Sequence, residues 1–364
     1  MFSSNVCALD SEPLMLRPNG EDGTCGSNNM NLGRNIGTLA AQYVTLSGCQ
    51  PNEVLDVVRQ RARSGSRADG HRVALVVEGG SMRGVYTAGS LVALHIMGLW
   101  NLFDNAYGAS AGAANIAQFL SGMGDVKADS YYRVLADGRF YNPHRVSKIV
   151  DIDFFADEVL TKLRPVEVDR VMASPTPFWV SVADFVTART VLFHAQAGDL
   201  PLLQILKAAT AMPIFYNKLI ELGGVRGFDA GFTNPFPLLE ALAHENTHVL
   251  VLLAAPEEYT SPALTARELA LIASRFARGN SQVGRMFEEA ASSCDRLRDL
   301  AHGRTRSAFD SKIATIAPVS ASVEMTTQDP ELLRSALLET ARGTLRLLGH
   351  PEDRLDELMH AGKL

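Results

Sequence analysis

Short runs of β-branched and aliphatic residues recur along this chain with no polar alternation inside them. "RVALVVE" (72–78), "FWVSVAD" (178–184), "HVLVLLAA" (248–255) and "KIATIAPV" (312–319) are the clearest. A strand with water on one face alternates polar with apolar residues, so a continuous apolar run of this length predicts a strand covered on both faces. Two weaker strands fit beside them: "FDNAYG" (103–108) and "TVLFHA" (190–195), the latter one turn after "FWVSVAD". Helical stretches lie between: "YTAGSLVALHIMGLW", "AGAANIAQFLSGM", "PLLQILKAATAM" and "PLLEALAHE". "DPELLRSALLETARGTLRLLG" (329–349) carries an Asp N-cap, a proline at the first helical position and a terminal glycine. Strands alternating with helices predict a layered α/β fold around a largely parallel sheet. No internal repeat is visible.

Flanking regions differ in texture. Residues 1 to about 35 are rich in Gly, Asn and Ser and read as loose chain. "PNEVLDVVRQRAR" (51–63) predicts an amphipathic helix with Val54, Leu55, Val57 and Val58 on one face. "SGSRADG" reads as a linker, which places the main boundary near residue 70. Residues 1–70 are then an N-terminal extension, 71–350 a catalytic domain and 351–364 a C-terminal helix. Within the domain, 261–310 lacks strand signals and predicts a helical insertion, either a cap or a solvent-facing hairpin.

Composition narrows the function classes. The 364 residues carry a formal net charge of −6 and a pI near 5.9, without the basic footprint of nucleic-acid binding. The basic stretch "RQRARSGSR" (59–67) reads as a solvated linker, with contact to anionic lipid left open. Cys7, Cys25, Cys49 and Cys294 have no metal-like spacing and fit reduced thiols. The N-terminus lacks a basic start and an apolar core, so a cytoplasmic location is expected and export by a route other than Sec stays open. The longest apolar run, "VLVLLAA", is too short to span a bilayer, so any membrane contact would be peripheral. The sequence says nothing of oligomeric state.

Three stretches carry candidate chemistry. "GASAG" (108–112) places Ser110 between a strand and a helix start, the arrangement of a nucleophile elbow. A tight packing turn of small residues fits it too, and the motif alone does not decide. "EGGSMRG" (78–84) follows the first strong strand, and successive glycines can turn backbone N–H groups toward an oxyanion. A plain strand–turn–helix connection, or a dinucleotide loop spoiled by Ser81, competes with that reading. "GVRGFDAGFTNPFP" (224–237) crowds glycines around Asp229, which is either a site residue or the cap of its own turn. "HENTH" (244–248) matches a zinc signature literally. That signature needs one continuing helix, whereas here His244 ends a helix and His248 starts a strand, so neither metal nor cofactor is expected. A triad through either histidine ranks below a Ser–Asp pair. Asp104 as a ribose ligand ranks last.

Together and in this order, Gly79-Gly80-Ser81-Met82-Arg83-Gly84, then Gly108-Ala109-Ser110-Ala111-Gly112, then Asp229-Ala230-Gly231 resemble the motifs of the patatin-like phospholipase family, in its compact bacterial branch. The resemblance covers residues 70 to 255 well and the rest more faintly. It implies a three-layer α/β/α fold and a serine acyl hydrolase acting on acyl-ester or phospholipid substrates. Ser110 would be the nucleophile and Asp229 the general base. The oxyanion region would comprise Gly79, Gly80, Ser81, Arg83, Gly84 and Ala111, with backbone N–H groups around Gly80 and Ser81 and that of Ala111 donating. An acyltransferase, or a catalytically weak binding protein, would use the same constellation. Ser81 and Ala230 replace glycines of the family pattern, so any φ above zero at Ser81 is expected to be costly. A free aspartate titrates near pH ~3.9, so Asp229 would need burial to serve as a base at neutral pH.

Overall fold

The computed structural model describes residues 6–7, 44–47, 51–122, 127–145, 148–305, 312–320 and 322–364. Most of the stretch expected to be loose chain lies outside these residues. Ten strands are described: β1 (Val6–Cys7), β2 (Val44–Ser47), β3 (Val73–Val77), β4 (Asn105–Ala109), β5 (Phe178–Asp184), β6 (Arg189–His194), β7 (Ile220–Leu222), β8 (Val225–Asp229), β9 (His248–Leu252) and β10 (Lys312–Pro318). Eight of them follow the order β1-β6-β5-β4-β3-β9-β10-β2 in one sheet, and β8 joins it by pairing with β5, with β7 paired to β8. The five central strands, β5 to β10 in that order, run parallel. Outside them the pairing turns antiparallel: β6 with β5 and β1 with β6 on one side, β2 with β10 on the other.

The apolar runs are buried because helices cover both faces. The helices include α1 (Pro51–Ser64), α2 (Gly84–Ile96), α3 (Ala111–Leu120), α4 (Leu202–Ala209), α5 (Leu238–Ala243), α6 (Ala266–Leu271), α7 (Ser281–Glu288), α8 (Ala290–Ala301), α9 (Pro330–Leu347) and α10 (Asp353–His360). Strand residues alternate between two cores, as the period of two demands. Val73, Leu75 and Val77 of β3 join Leu91, Leu206 and Leu337 on one face. Ala74 and Val76 join Leu238, Leu242 and Leu300 on the other. The layers are therefore α/β/α, as expected. Asp329 caps α9 by accepting the N–H groups of Glu331 and Leu332, again as the sequence suggested.

Residues 51–70, placed in the N-terminal extension, pack against the domain. Val54, Leu55, Val57 and Val58 of α1 are buried in the main core, and β2 pairs with β10. Arg61 is 1% exposed and bonds Asp69, Asp104 and the carbonyls of Leu102 and His71. Arg67 donates to the carbonyls of Phe103 and Pro175. The "linker" arginines are thus structural ties that fold residues 51–70 onto the domain. Asp104 receives Arg61 and the N–H of Val73, which accounts for it without a nucleotide.

The insertion also takes a definite place. Ile272, Val283 and Phe287 form a third core with Phe228 and Ala230, against which Phe232 and Phe276 pack. Phe276 and Phe287 meet Phe228 with ring centroids 5.2 and 6.3 Å apart. The segment is therefore anchored beside the Asp229 loop, with its apolar face inward.

Candidate active site

Sheet register brings Ser110 and Asp229 together across 119 residues of sequence. β6 pairs along the whole of β5 on one edge. The other edge is shared: β4 pairs Phe178 to Ser181, and β8 pairs Val182 to Asp184. Ala109 sits opposite Ser181, and Asp229 sits opposite Val182. The residue after β4 therefore arrives where β8 ends. Ser110 Oγ donates to Asp229 Oδ2 at 2.6 Å, and the two residues are 5% and 2% exposed. The sequence reading had a Gly-rich loop at 224–237; Asp229 instead ends a strand.

The elbow is tight on every side. Ser110 has φ 51° and ψ −133°, a conformation that costs a non-glycine residue roughly 1–3 kcal/mol. It precedes α3, whose N-terminal N–H groups favour negative charge at that spot. A Cβ on Gly112 would lie 2.4 Å from the Val77 carbonyl oxygen, and one on Gly79 would lie 2.6 Å from Ser110 Cβ. Both positions need glycine because two backbones touch there.

Asp229 has each carboxylate oxygen assigned. Oδ2 faces the serine, while Oδ1 accepts the Gly231 N–H at 2.7 Å. Burial pushes its pKa up to about 6; the bonds from Ser110 and Gly231 pull the other way and only moderate the rise. The glycine displaced by Ala230 thus still supports the carboxylate, one position later.

The loop after β3 divides into donors and braces. Gly79 N–H is held by the Pro235 carbonyl, Arg83 N–H by Gly80, and Gly84 N–H by Ser81 and Met82. The N–H groups of Gly80, Ser81 and Ala111 take no backbone acceptor among the described residues. Gly79, Arg83 and Gly84 therefore shape the loop without offering an N–H, a narrower donor group than the oxyanion region named from the motif. Ser81 adopts φ 53°, so the strain expected there is present.

The histidines stand apart. His244 ends α5 and its Nδ1 bonds the Tyr107 hydroxyl at 2.9 Å; His248 opens β9 and its Nδ1 bonds Thr247 Oγ1 at 2.9 Å. Neither shares a helix face with the other, and Ser110 turns to Asp229.

A cavity of about 260 Å³ opens onto the pair. Its walls come from the loop after β3, the Asp229 loop, Tyr259 and the insertion, which supplies Leu264, Cys294 and Arg298. A smaller, apolar crevice of about 30 Å³ also reaches Ser110, between Met82, Tyr131, Phe140, Ile152, Phe155 and Met212. The sequence did not single out Tyr259 or Arg298. Arg298 pairs with Glu78, 220 residues away, and no local pattern marks such a pairing.

A parallel α/β sheet with a strained serine at a strand-to-helix turn, bonded to a buried carboxylate, is the build of a nucleophile-elbow protein. The model of the patatin-like phospholipase family matches residues 75–242, and over that stretch the chain is similar to the family. The chain is similar to the uncharacterized protein YjjU of Escherichia coli (strain K12), with 27% identity over 200 residues, 52% of this chain and 54% of that protein. It spans about half the length of that relative. A looser likeness links it to the crystal structure of VipD from Legionella pneumophila, at 14% identity and a TM-score of 0.45, covering 77% of this chain and 67% of that one. Among the described residues, no helix is long and apolar enough to cross a membrane.

Proposed function

We propose that the protein is a serine acyl hydrolase for carboxylic esters of lipids, working through a Ser110–Asp229 dyad and an acyl-enzyme. The observation that carries this is the 2.6 Å bond from a buried, strained serine hydroxyl to a buried carboxylate inside a cavity. Asp229 Oδ2 takes the hydroxyl proton as Ser110 Oγ attacks the ester carbonyl carbon. Negative charge moves to the carbonyl oxygen, which the N–H groups of Gly80, Ser81 and Ala111 and the start of α3 stabilise. Collapse of this intermediate breaks the ester bond, and the proton on Asp229 passes to the departing alcohol. Water then attacks the acyl-enzyme, with Asp229 again as base, and the fatty acid leaves. The apolar crevice beside Met82 and Phe155 and the apolar walls of the cavity suit an acyl chain.

Fluorophosphonate labelling and a short ester panel test this directly. Wild type should label at Ser110 and release acid. Ser110→Ala should lose labelling, and Ser110→Ala and Asp229→Asn should each lose turnover by about a thousandfold or more. Full esterase activity in Ser110→Ala sinks the dyad. Added alcohol acceptors separate hydrolysis from acyl transfer, since transfer yields new ester in place of acid.

A further inference from the structure

Arg298 lies on α8 in the wall of the cavity that holds Ser110, and its side chain is 2% exposed. Its Nη2 bonds one oxygen of the equally buried Glu78. The other Glu78 oxygen accepts the Ala254 N–H at 2.6 Å. That leaves Arg298 Nε and Nη1 buried with no acceptor among the described residues, and Arg83 Nε is in the same condition. Both guanidinium carbons lie over the Tyr259 ring, 4.8 Å (Arg83) and 4.9 Å (Arg298) from its centroid.

Buried donors on a cation are costly to leave unfilled, and these three belong to residues that line one cavity, so they mark a place for an acceptor. The protein's own carboxylates there are engaged. Glu78 has both oxygens bonded, and Asp229 is held by Ser110 and Gly231. Glu268 takes the N–H and hydroxyl of Thr265. We propose that Arg298, with Arg83 and Tyr259, forms a subsite for a phosphate group beside the nucleophile. A guanidinium presents its N–H groups as a fork that matches phosphate oxygens. The inference rests on the hydrolase reading only for its use: the phosphate would be the polar end of a substrate whose ester carbonyl reaches Ser110, or free phosphate binding the same donors.

Calorimetry with inorganic phosphate at fixed ionic strength tests the subsite without needing turnover. Wild type should bind, and Arg298→Met should bind at least tenfold more weakly. Arg298→Lys, which keeps a cation for Glu78 but lacks the Nε donor and the fork, should also lose at least tenfold. A second arm compares kcat/KM for dihexanoyl phosphatidic acid and uncharged dihexanoylglycerol. A tenfold or greater preference for the phosphate ester, lost in the variants, assigns the site to a substrate headgroup. Phosphate binding with no such preference assigns it to free phosphate. A wild type that neither binds phosphate nor prefers the anionic ester overturns the subsite, whatever the variants do. If Ser110 labels with fluorophosphonate in that case, the hydrolase reading stands and the subsite alone falls. If phosphate binds but Ser110 neither labels nor turns over any ester, the hydrolase reading falls and the subsite stands.

Discussion

In the proposed mechanism Ser110 and Asp229 carry the chemistry, and their environment sets the pH at which they would do it. An aspartate must be ionised to accept a proton. With its pKa pushed up to about 6 by burial, Asp229 is mostly ionised at neutral pH yet basic enough to be useful. kcat/KM for an uncharged ester should therefore fall about tenfold per unit as pH drops below about 6. A pH–rate profile without an acid limb between pH 5 and 7 would disconnect Asp229 from the proton. Stability should run the other way. A carboxyl whose folded pKa is raised is neutral in both states at low pH, and stability is lost as pH rises from the ordinary aspartate range through about 6. Glu240, buried and pushed up to about 7, adds a loss of the same sign. Both catalytic candidates were legible in sequence, because glycine crowding advertises close backbone approach. The conformation of Ser81 was legible only as a risk, since a φ of 53° depends on the loop being held from outside.

Strand and turn geometry converts those residues into a pair. The elbow works because α3 begins against the end of β3, with no room between Gly112 and the carbonyls of Val77 and Glu78. Gly112→Ala should cost about 2 kcal/mol or more and slow Ser110 labelling, as the added methyl pushes backbone against backbone. Thermal denaturation alongside fluorophosphonate kinetics would check both, and an unchanged melting temperature would contradict the packing. Four of the five central strands announced themselves as apolar runs, and β4 more weakly. β7 and β8 did not, because "IEL" and "VRGFD" are short and polar or glycine-bearing. They become strands by pairing with β5 and with each other.

Integration across the molecule is carried by arginines that local sequence made look like surface. Arg61 sits within 1% exposure and links α1 to Asp69 and Asp104. Arg61→Met should destabilise the protein by about 3 kcal/mol, because it leaves two carboxylates facing a gap they were folded around. Urea denaturation reads this, and a loss below about 1 kcal/mol would mean residues 51–70 are less tightly joined than their burial implies. The insertion follows the same logic. Its aromatic face packs on Phe228 beside Asp229, and its polar side reaches back to Glu78 through Arg298.

Local chemistry written in the chain decided the alternation of strands and helices, the elbow, the glycine loop and the residues most suited to act as nucleophile and base. Each depends on neighbours within a few positions, where steric and hydrogen-bonding preferences act directly. The junction of β4 and β8 along one edge of β5, the narrowing of the N–H donors to Gly80, Ser81 and Ala111, and the Glu78–Arg298 tie came only with the folded chain. These depend on register and on long, flexible side chains meeting across 119 and 220 residues. An arginine in a helix reads the same whether it faces water or a buried carboxylate, and only packing distinguishes the two.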